Sequence, residues 1–297
     1  MSTPADHRAE VREFLTSRRA RITPDQAGLP AYGGAKRRVA GLRREEVALL
    51  AGVSIDYYVR MERGNLAGAS DAVLDGVASA LQLDEAERAH LYDLARAAQQ
   101  RPVRHRSRSV GVTPGVQQLL DAITDAPAWV RNARHDMLAA NTMARALYAP
   151  LLASDPTRCP NTARFVYLDP ASKDFFVDWE RGADDIAAML RSEAGRNPHD
   201  KKLIELIGEL STQSEIFRTR WAAHNVRFHR TGKKKLHHPA VGLLELDYEA
   251  VEFPAHPELT MLAYTAASGT PAADGLKLLA SWAATAEDAG ELAKLVW

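Results

Sequence analysis

The chain has 297 residues, which is enough for about two domains of roughly 100–200 residues each. Hydrophobic residues make up 46% and charged residues 26% of the sequence, a balance typical of globular proteins. No apolar run approaches the roughly 20 residues that a membrane-spanning helix needs, which argues against a membrane protein. The single cysteine, Cys159, excludes an internal disulfide.

The charge distribution and the N-terminal residues narrow the expected context. The net charge is zero, but a basic excess in residues 1–110 offsets an acidic excess in residues 111–297. This asymmetry favours a polyanionic partner for the first part of the chain only. The N-terminal residues contain no apolar stretch of the kind that a secretory signal has. We therefore expect a cytoplasmic protein with no membrane partner.

The first third of the sequence predicts an all-α domain over residues 1–97. Thr23-Pro24 is typical of a helix start, with a capping threonine followed by proline at the first helical position. Ser54 and Ser70 are further candidate N-caps, and Asp84 with Glu87 has the spacing of a capping box. Apolar periodicity predicts helices over 9–20, 43–51, 54–62, 70–81 and 84–97, with a glycine-rich loop over 27–35.

A basic segment over 98–111 separates this domain from a second one over 112–297. The segment is either a solvated tether or an additional arm that contacts phosphates. In the second domain, helical and alternating patterns are mixed, which predicts an α+β fold with an antiparallel sheet. Thr231-Gly232 is interpreted as a turn, with Lys233–Lys235 at the hairpin end. The main predicted strands are 128–131, 137–140, 241–253 and 259–266, and the main predicted helices are 141–148, 174–195, 200–211, 214–224 and one that begins at Thr270-Pro271.

The segment from Arg44 to Gly64 has the residue pattern of a helix-turn-helix. Two helices that cross at a steep angle need a small residue where they touch, which Ala48 supplies. They also need a corner residue that tolerates a positive φ, which Gly52 supplies. The remaining positions that should face the core are apolar, namely Val47, Ala51, Val53, Tyr58 and Met61. The alternative is a helical hairpin that binds nothing.

A helix-turn-helix places its second helix in the major groove of DNA, with its first residues at the base edges. The predicted base-reading residues are Ser54, Ile55, Asp56, Tyr57 and Arg60. An arginine can bond guanine at two points and an isoleucine can contact a thymine methyl group, whereas Asp56 either accepts from cytosine or complements the helix N-terminus. Cations beside the groove reader are expected to contact phosphates, and these are Lys36, Arg37, Arg38, Arg43, Arg44 and Arg63.

These residues resemble a known family. Residues 37–54, RRVAGLRREEVALLAGVS, with Tyr57-Tyr58 and Glu62–Gly64, are similar to the xenobiotic-response-element (Cro/C1-type) regulators. The second half is similar to the ligand-binding domain of MmyB-like regulators, through the segments VYLDP at 166–170, VDWE at 177–180, WAAHNV at 221–226 and VGLLELDY at 241–248. The resemblance implies a lambda-repressor-like first domain and a PAS-like second domain that binds a small, apolar molecule such as a fatty acid.

Large side chains of the second domain are the candidate ligand contacts, although aromatics at helical spacing more often form the core. The candidates are Phe165, Tyr167, Trp179, Trp221 and Tyr248, with His224 as a polar anchor. His237 and His238 would point to opposite faces of an extended segment, so they are not expected to share a metal ion. We expect no metal and no cofactor apart from the effector.

The leading hypothesis is a sequence-specific transcription regulator that binds double-stranded DNA as a homodimer and responds to a small-molecule effector. In a second hypothesis, the C-terminal domain binds another protein instead of a small molecule. An enzyme is the least favoured class, because the second domain has no nucleophile elbow, P-loop, HExxH motif or dinucleotide fingerprint.

Overall fold

The computed structural model describes residues 4–29, 39–99 and 111–288. The described chain falls into two compact units. The first unit takes residues of 1–105 together with Arg191–Glu205 and Thr219–Phe228. The second unit takes residues of 106–190, Leu206–Arg218 and the chain from His229 onward. The predicted domain bounds, which follow the sequence without interruption, remain a prediction.

Five helices from the N-terminal part of the chain form the core of the first unit. Phe14 of the first helix, Tyr58 and Leu94 are fully buried in that core. Val226, from one of the later segments, belongs to the same core. The helices are α1 (Pro4–Arg21), α2 (Arg44–Leu50), α3 (Ile55–Glu62), α4 (Asp71–Ala80) and α5 (Glu85–Gln99).

The capping predictions in this unit are confirmed, with one exception. Ser54 and Ser70 accept hydrogen bonds from backbone amides in the first turns of α3 and α4. The Glu87 carboxylate accepts from the Asp84 amide at 3.2 Å and the Asp84 carboxylate accepts from the Glu87 amide at 2.8 Å, which is the predicted capping box. The helix predicted at Thr23-Pro24 is wrong. Pro24–Gly28 forms only a turn, since Gly28 has a left-handed backbone with φ of +70° that ends it.

The second unit contains a five-stranded antiparallel sheet, so the predicted α+β, PAS-like class is confirmed. The strands are β1 (Ala128–Asn132), β2 (Met137–Ala140), β3 (Thr231–His238), β4 (Gly242–Phe253) and β5 (His256–Thr265), and their order in the sheet is β2-β1-β5-β4-β3. Thr113 and Asn141 each accept a hydrogen bond from a backbone amide in the first turn of the helix that follows. The helices are α6 (Pro114–Asp121), α7 (Thr142–Leu147), α8 (Ala149–Ser154), α9 (Thr162–Leu168), α10 (Ala171–Phe175), α11 (Trp179–Arg196), α12 (Lys201–Gln213), α13 (Glu215–Ala222) and α14 (Pro271–Asp288), of which α11, α12 and α13 also supply residues to the first unit.

Two local predictions for the second unit are wrong. Thr231-Gly232 is not a turn, because both residues pair with β4 and the chain reverses instead after His238. Lys233–Lys235 consequently lie within β3 rather than at a hairpin end. The helix predicted over 174–195 is interrupted, since Phe176 is extended and forms a bridge with Leu236 of β3.

Membrane-spanning helices are not found in the parts of the chain that the structure describes. None of the helices there combines the length and the apolar character that crossing a bilayer requires.

Candidate functional site

The turn between α2 and α3 has the geometry that the sequence pattern predicts. Gly52 has a φ of +67°, a backbone conformation that glycine adopts without strain. The amide of Val53 donates to the carbonyl of Ala48 at 3.0 Å, which closes the turn. Ala48 is buried, so its methyl group is the small contact that allows the two helices to approach.

The outward face of α3 presents the five predicted base-reading residues together. Ser54, Ile55, Asp56 and Arg60 are exposed, and Tyr57 is half-buried against the core. The Arg60 guanidinium lies over the Tyr57 ring, 4.5 Å from its centroid. This stacking leaves the guanidinium on a solvent-exposed surface while limiting its rotamers, which suits a group that bonds a base at two points.

A buried carboxylate, which the sequence analysis missed, connects the α2–α3 pair to α1. Glu62, at the end of α3, is only 2% exposed and accepts from Arg19 of α1 at 2.6 Å. Its other oxygen accepts from Arg44 at the start of α2. Because Glu62 partly neutralises Arg44, this arginine orients α2 against α3 as well as presenting a positive charge. The signal in the sequence that could have revealed this role is a glutamate at the end of α3, just after the residues predicted to read bases.

The remaining predicted phosphate contacts lie at three different places in the chain. Arg63 is exposed directly after α3. Arg43 is the N-cap of α2, with an exposed ion pair to Glu45 at 3.6 Å. The predicted contacts at 36–38 (Lys, Arg, Arg) lie outside the described residues.

The second unit contains a cavity of about 460 Å³, a volume that includes space open at its mouth. Its walls come from β1, α9, α11, β3 and β5, segments that are far apart in the sequence. The apolar wall consists of Trp129, Tyr148, Val166, Phe176, Ile186, Met189, Leu262 and Tyr264, and the remaining lining residues are Arg131, His135, Thr162, Gly182, His229 and Lys234.

The polar lining of the cavity has unsatisfied hydrogen-bonding capacity. Among the described residues, Nε2 of His135 and Nδ1 of His229 are buried without a hydrogen-bond partner. Burial lowers the pKa of His135 well below 6.5, and burial with the neighbouring Lys234 lowers the pKa of His229 to about 3. Both imidazoles are therefore neutral near pH 7. An orphaned polar atom in a cavity wall is costly unless water or a ligand satisfies it.

Three predicted ligand contacts are core residues that do not line this cavity. Phe165 packs against the rings of Phe175 and Phe176 at 6.0 and 5.9 Å between centroids. The Tyr167 hydroxyl donates to the carbonyl of Ala183 at 2.5 Å. The Trp179 indole donates to the carbonyl of Val166 at 3.2 Å. Each polar atom is already satisfied inside the protein, which is typical of core aromatics.

The other three predicted contacts lie elsewhere. Trp221 and His224 belong to the first compact unit, where Arg191 lies 3.8 Å above the Trp221 ring. Tyr248 stacks on His229 with centroids 4.3 Å apart and lines a smaller cavity of about 370 Å³ in the second unit. Sequence periodicity identifies buried aromatics but does not tell which of them face empty space, so the lining set was missed.

Comparison with known families decides what these two sites belong to. A family model described as the MmyB-like transcription regulator ligand binding domain matches residues 112–279. The chain belongs to the MmyB-like transcription regulators. In this MmyB-like regulator, a helix-turn-helix domain model also matches residues 13–91, which include the whole α2–α3 pair. A comparison with proteins of curated function finds no match to this chain.

The two family matches indicate different roles for the α3 face and the cavity of the MmyB-like regulator. The exposed face of α3 lies in the helix-turn-helix match, and the cavity lies in the ligand-binding match. The chain is therefore a DNA-binding transcription regulator, and both matched domains are of regulatory and not of catalytic families.

Proposed function

We propose that this regulator reads a specific DNA sequence with α3 and that a small, mainly apolar molecule in the cavity of the second unit modulates its binding. The observation that carries the proposal is the cavity itself. It lies within the residues that match a ligand-binding domain, and aromatic and aliphatic side chains form most of its wall. Sites with an apolar wall and a few polar groups are the usual form of small-molecule pockets.

The polar lining supports a ligand with one polar end. His135 and His229 each present a buried nitrogen that lacks a partner among the described residues, and Arg131 adds a positive charge to the same wall. A fatty acid, which the family resemblance implies, has the matching chemistry of an aliphatic chain with one polar group.

The continuity of α11 supports a route from ligand to DNA. Ile186 and Met189 of this helix line the cavity in the second unit. Arg191, two residues later on the same helix, belongs to the first unit and bonds Glu10 of α1. A ligand that favours one position of α11 over another would shift the population of DNA-binding states, whereas equal affinity for both would change nothing.

We further propose that the regulator acts as a homodimer on two half-sites. Proteins that read DNA with a helix-turn-helix commonly pair half-sites about 34–36 Å apart, one turn of the duplex. Mapping of genomic binding sites would give the operator. A single, unpaired recognition sequence in that map, together with a monomeric mass, would contradict the dimer.

Native mass spectrometry combined with gel shifts tests the main proposal. The full chain would be analysed as purified and after addition of decanoic acid or decanol, and then titrated with a mapped operator duplex. We expect a one-to-one complex with at least one probe or a retained small molecule, and a changed operator affinity. Retention of a partner chain instead would favour the protein-interaction alternative. Absence of operator binding at low salt would contradict the proposal that α3 reads DNA.

A further inference from the structure

Two carboxylates of α1 and one histidine that follows α13 converge at one point of the first unit. Glu10 and Glu13 are three residues apart on α1, so they lie on the same face of that helix. His224 belongs to the same compact unit. One donor atom from each of these three side chains lies within 4.8 Å of the other two. Carboxylate oxygen and imidazole nitrogen are donors that Zn²⁺ and related divalent ions bind.

The His224 imidazole, whose side chain is only 10% exposed, has one engaged and one unpaired nitrogen. Its Nε2 atom lies 3.0 Å from a Glu13 oxygen, and histidines that ligate a metal commonly donate their other ring N–H to a carboxylate. Its Nδ1 atom has no hydrogen-bond partner among the described residues and lies 3.6 Å from Oε1 of Glu10. That distance is too long for a hydrogen bond. It is close to the roughly 3.4 Å between two tetrahedral ligands that each lie about 2.1 Å from a zinc ion.

A second buried imidazole, that of His90 on α5, faces the same carboxylate. The side chain is fully buried, and within the described part of the chain neither of its ring nitrogens has a hydrogen-bond partner. Its Nε2 atom lies 3.9 Å from Oε1 of Glu10. The ring fills space that Gly195 of α11 leaves free, since a Cβ atom there would lie 2.4 Å from it. Unsatisfied buried nitrogens are costly, and a cation beside Glu10 would give the His90 lone pair an electrostatic partner.

Two arginines hold the possible ligands in place. Arg18 donates to the carbonyl of His224 at 2.5 Å, and Arg191 donates to the carbonyl of Trp221 at the end of α13. Arg191 also donates to both oxygens of Glu10. A carboxylate oxygen has two lone pairs, so Glu10 can accept from Arg191 and still ligate an ion. Carboxylates that ligate a metal are generally hydrogen-bonded in this way.

We propose that Glu10, Glu13 and His224 bind one divalent transition-metal ion, with Zn²⁺ as the expected occupant. Three protein ligands leave a fourth position for water, and the Glu13 side chain is 46% exposed, so the ion can enter from solvent. The bound ion would cross-link α1 to the segment that follows α13. The site lies in the first unit and does not depend on the cavity of the second. The sequence analysis expected no metal, because no carboxylate that could share an ion with His224 lies near it in the sequence.

Zinc titration of the full chain, after treatment with a chelator, tests this inference. Native mass spectrometry gives the stoichiometry, and competition with a chromogenic zinc chelator gives the affinity. We expect one ion per chain and a higher unfolding temperature in the presence of zinc, because an ion that binds only the folded state stabilises it. Glu13→Gln keeps the size of a part-exposed side chain and should fold like the wild type, yet weaken zinc binding at least about tenfold. His224→Asn removes the imidazole and should cause the same loss, since asparagine tolerates the φ of +51° at this position.

Matched controls and a second metal complete the test. Glu45→Gln and His237→Asn change exposed residues of the same two types outside the site and should bind zinc like the wild type. Cobalt in place of zinc should give the wild type a visible absorption band that His224→Asn lacks, because the imidazole ligand is gone. The absence of a one-to-one zinc complex of the wild type would overturn the inference. Wild-type zinc affinity in both Glu13→Gln and His224→Asn would also overturn it, since an ion bound elsewhere would not respond to these residues.

Discussion

Glu10 and Arg191 are 181 residues apart in the sequence, and the Nη1 atom of Arg191 donates to both carboxylate oxygens of Glu10 at 2.5 and 2.6 Å. Both residues belong to the first compact unit. Arg191 is only 1% exposed, and its guanidinium also donates to the carbonyl of Trp221. Because residue 191 lies within the ligand-binding match, this pair ties that region of the sequence to the first helix of the DNA-binding unit.

Loss of one partner of this pair should destabilise the first unit. Arg191→Met removes the buried arginine that donates to both oxygens of the Glu10 carboxylate, and breaking a buried pair in this way costs about 3–5 kcal/mol. Urea unfolding, followed by hydrogen exchange of peptides from 7–21, measures the effect. As a control, Lys277→Met removes an exposed pair with Asp274 and should cost less than about 1 kcal/mol. Equal unfolding midpoints for Arg191→Met and wild type would show that the pair contributes nothing.

Arg60 and Arg63 should affect DNA binding in different ways. Both are exposed at α3, but only Arg60 lies among the predicted base readers. Arg60→Ala should weaken operator binding by about 1–3 kcal/mol and relax the preference at one base pair. Arg63→Ala should weaken all duplexes alike and reduce the salt dependence by about one phosphate contact. Fluorescence anisotropy with operator and scrambled duplexes over a salt series separates the two. Identical profiles for the variants would contradict the assigned roles.

Gly64 should not tolerate a side chain, because two separate costs coincide there. Its φ is +93°, and an added Cβ atom would lie 2.3 Å from the carbonyl oxygen of Arg8. Gly64→Ala should therefore cost at least about 3 kcal/mol, the sum of backbone strain and overpacking. Gly28→Ala is the matched control. Its φ is +70°, but among the described residues no atom outside its chain neighbours lies within 4 Å of the added Cβ, so only about 1–2 kcal/mol of strain is expected. Thermal unfolding of both variants checks the difference.

His135 should make the second unit less stable in mild acid. Burial holds the pKa of His135 well below 6.5, so the folded state binds fewer protons than the unfolded state. Its contribution to stability is therefore fully present above about pH 6.5 and is lost as the pH falls below that value, with a slope of up to about 1.4 kcal/mol per pH unit. Urea unfolding of the wild type between pH 7.5 and pH 5 should show this slope together with that of His229, whose pKa burial also lowers, to about 3.

Asparagine is the suitable replacement for His135, because the residue has a φ of +66° and asparagine tolerates left-handed backbone. His135→Asn should reduce the slope of the unfolding free energy by up to about 1.4 kcal/mol per pH unit and leave the part that the lowered pKa of His229 contributes. The exposed His237, on the outward face of β3, gives the control variant His237→Asn, which should keep the wild-type slope. An unchanged slope in His135→Asn would assign the acid sensitivity to other groups.

Local sequence determined the helix-turn-helix almost completely. The caps at Ser54 and Ser70, the corner at Gly52 and the exposed face around Arg60 were all predictable. Each depends on residues within one or two turns of the same helix, so spacing along the chain carries the information. The resemblance at both ends of the chain also identified the family that the comparison assigns.

Only the tertiary structure decided which residues surround the cavity. Whether Phe165 or Val166 faces it depends on how α9 is rotated against the sheet, and both are buried in either case. The pairing of β3 with β4 places Lys234 on the inward face of the strand. The sequence analysis predicted a turn at residues 231–232 and therefore did not identify Lys234 as an inward-facing residue. Glu10 and Arg191 form their ion pair because segments that are distant in the sequence fold into one unit. Periodicity along the chain reports that a side chain is buried, while packing between distant segments decides what it is buried against.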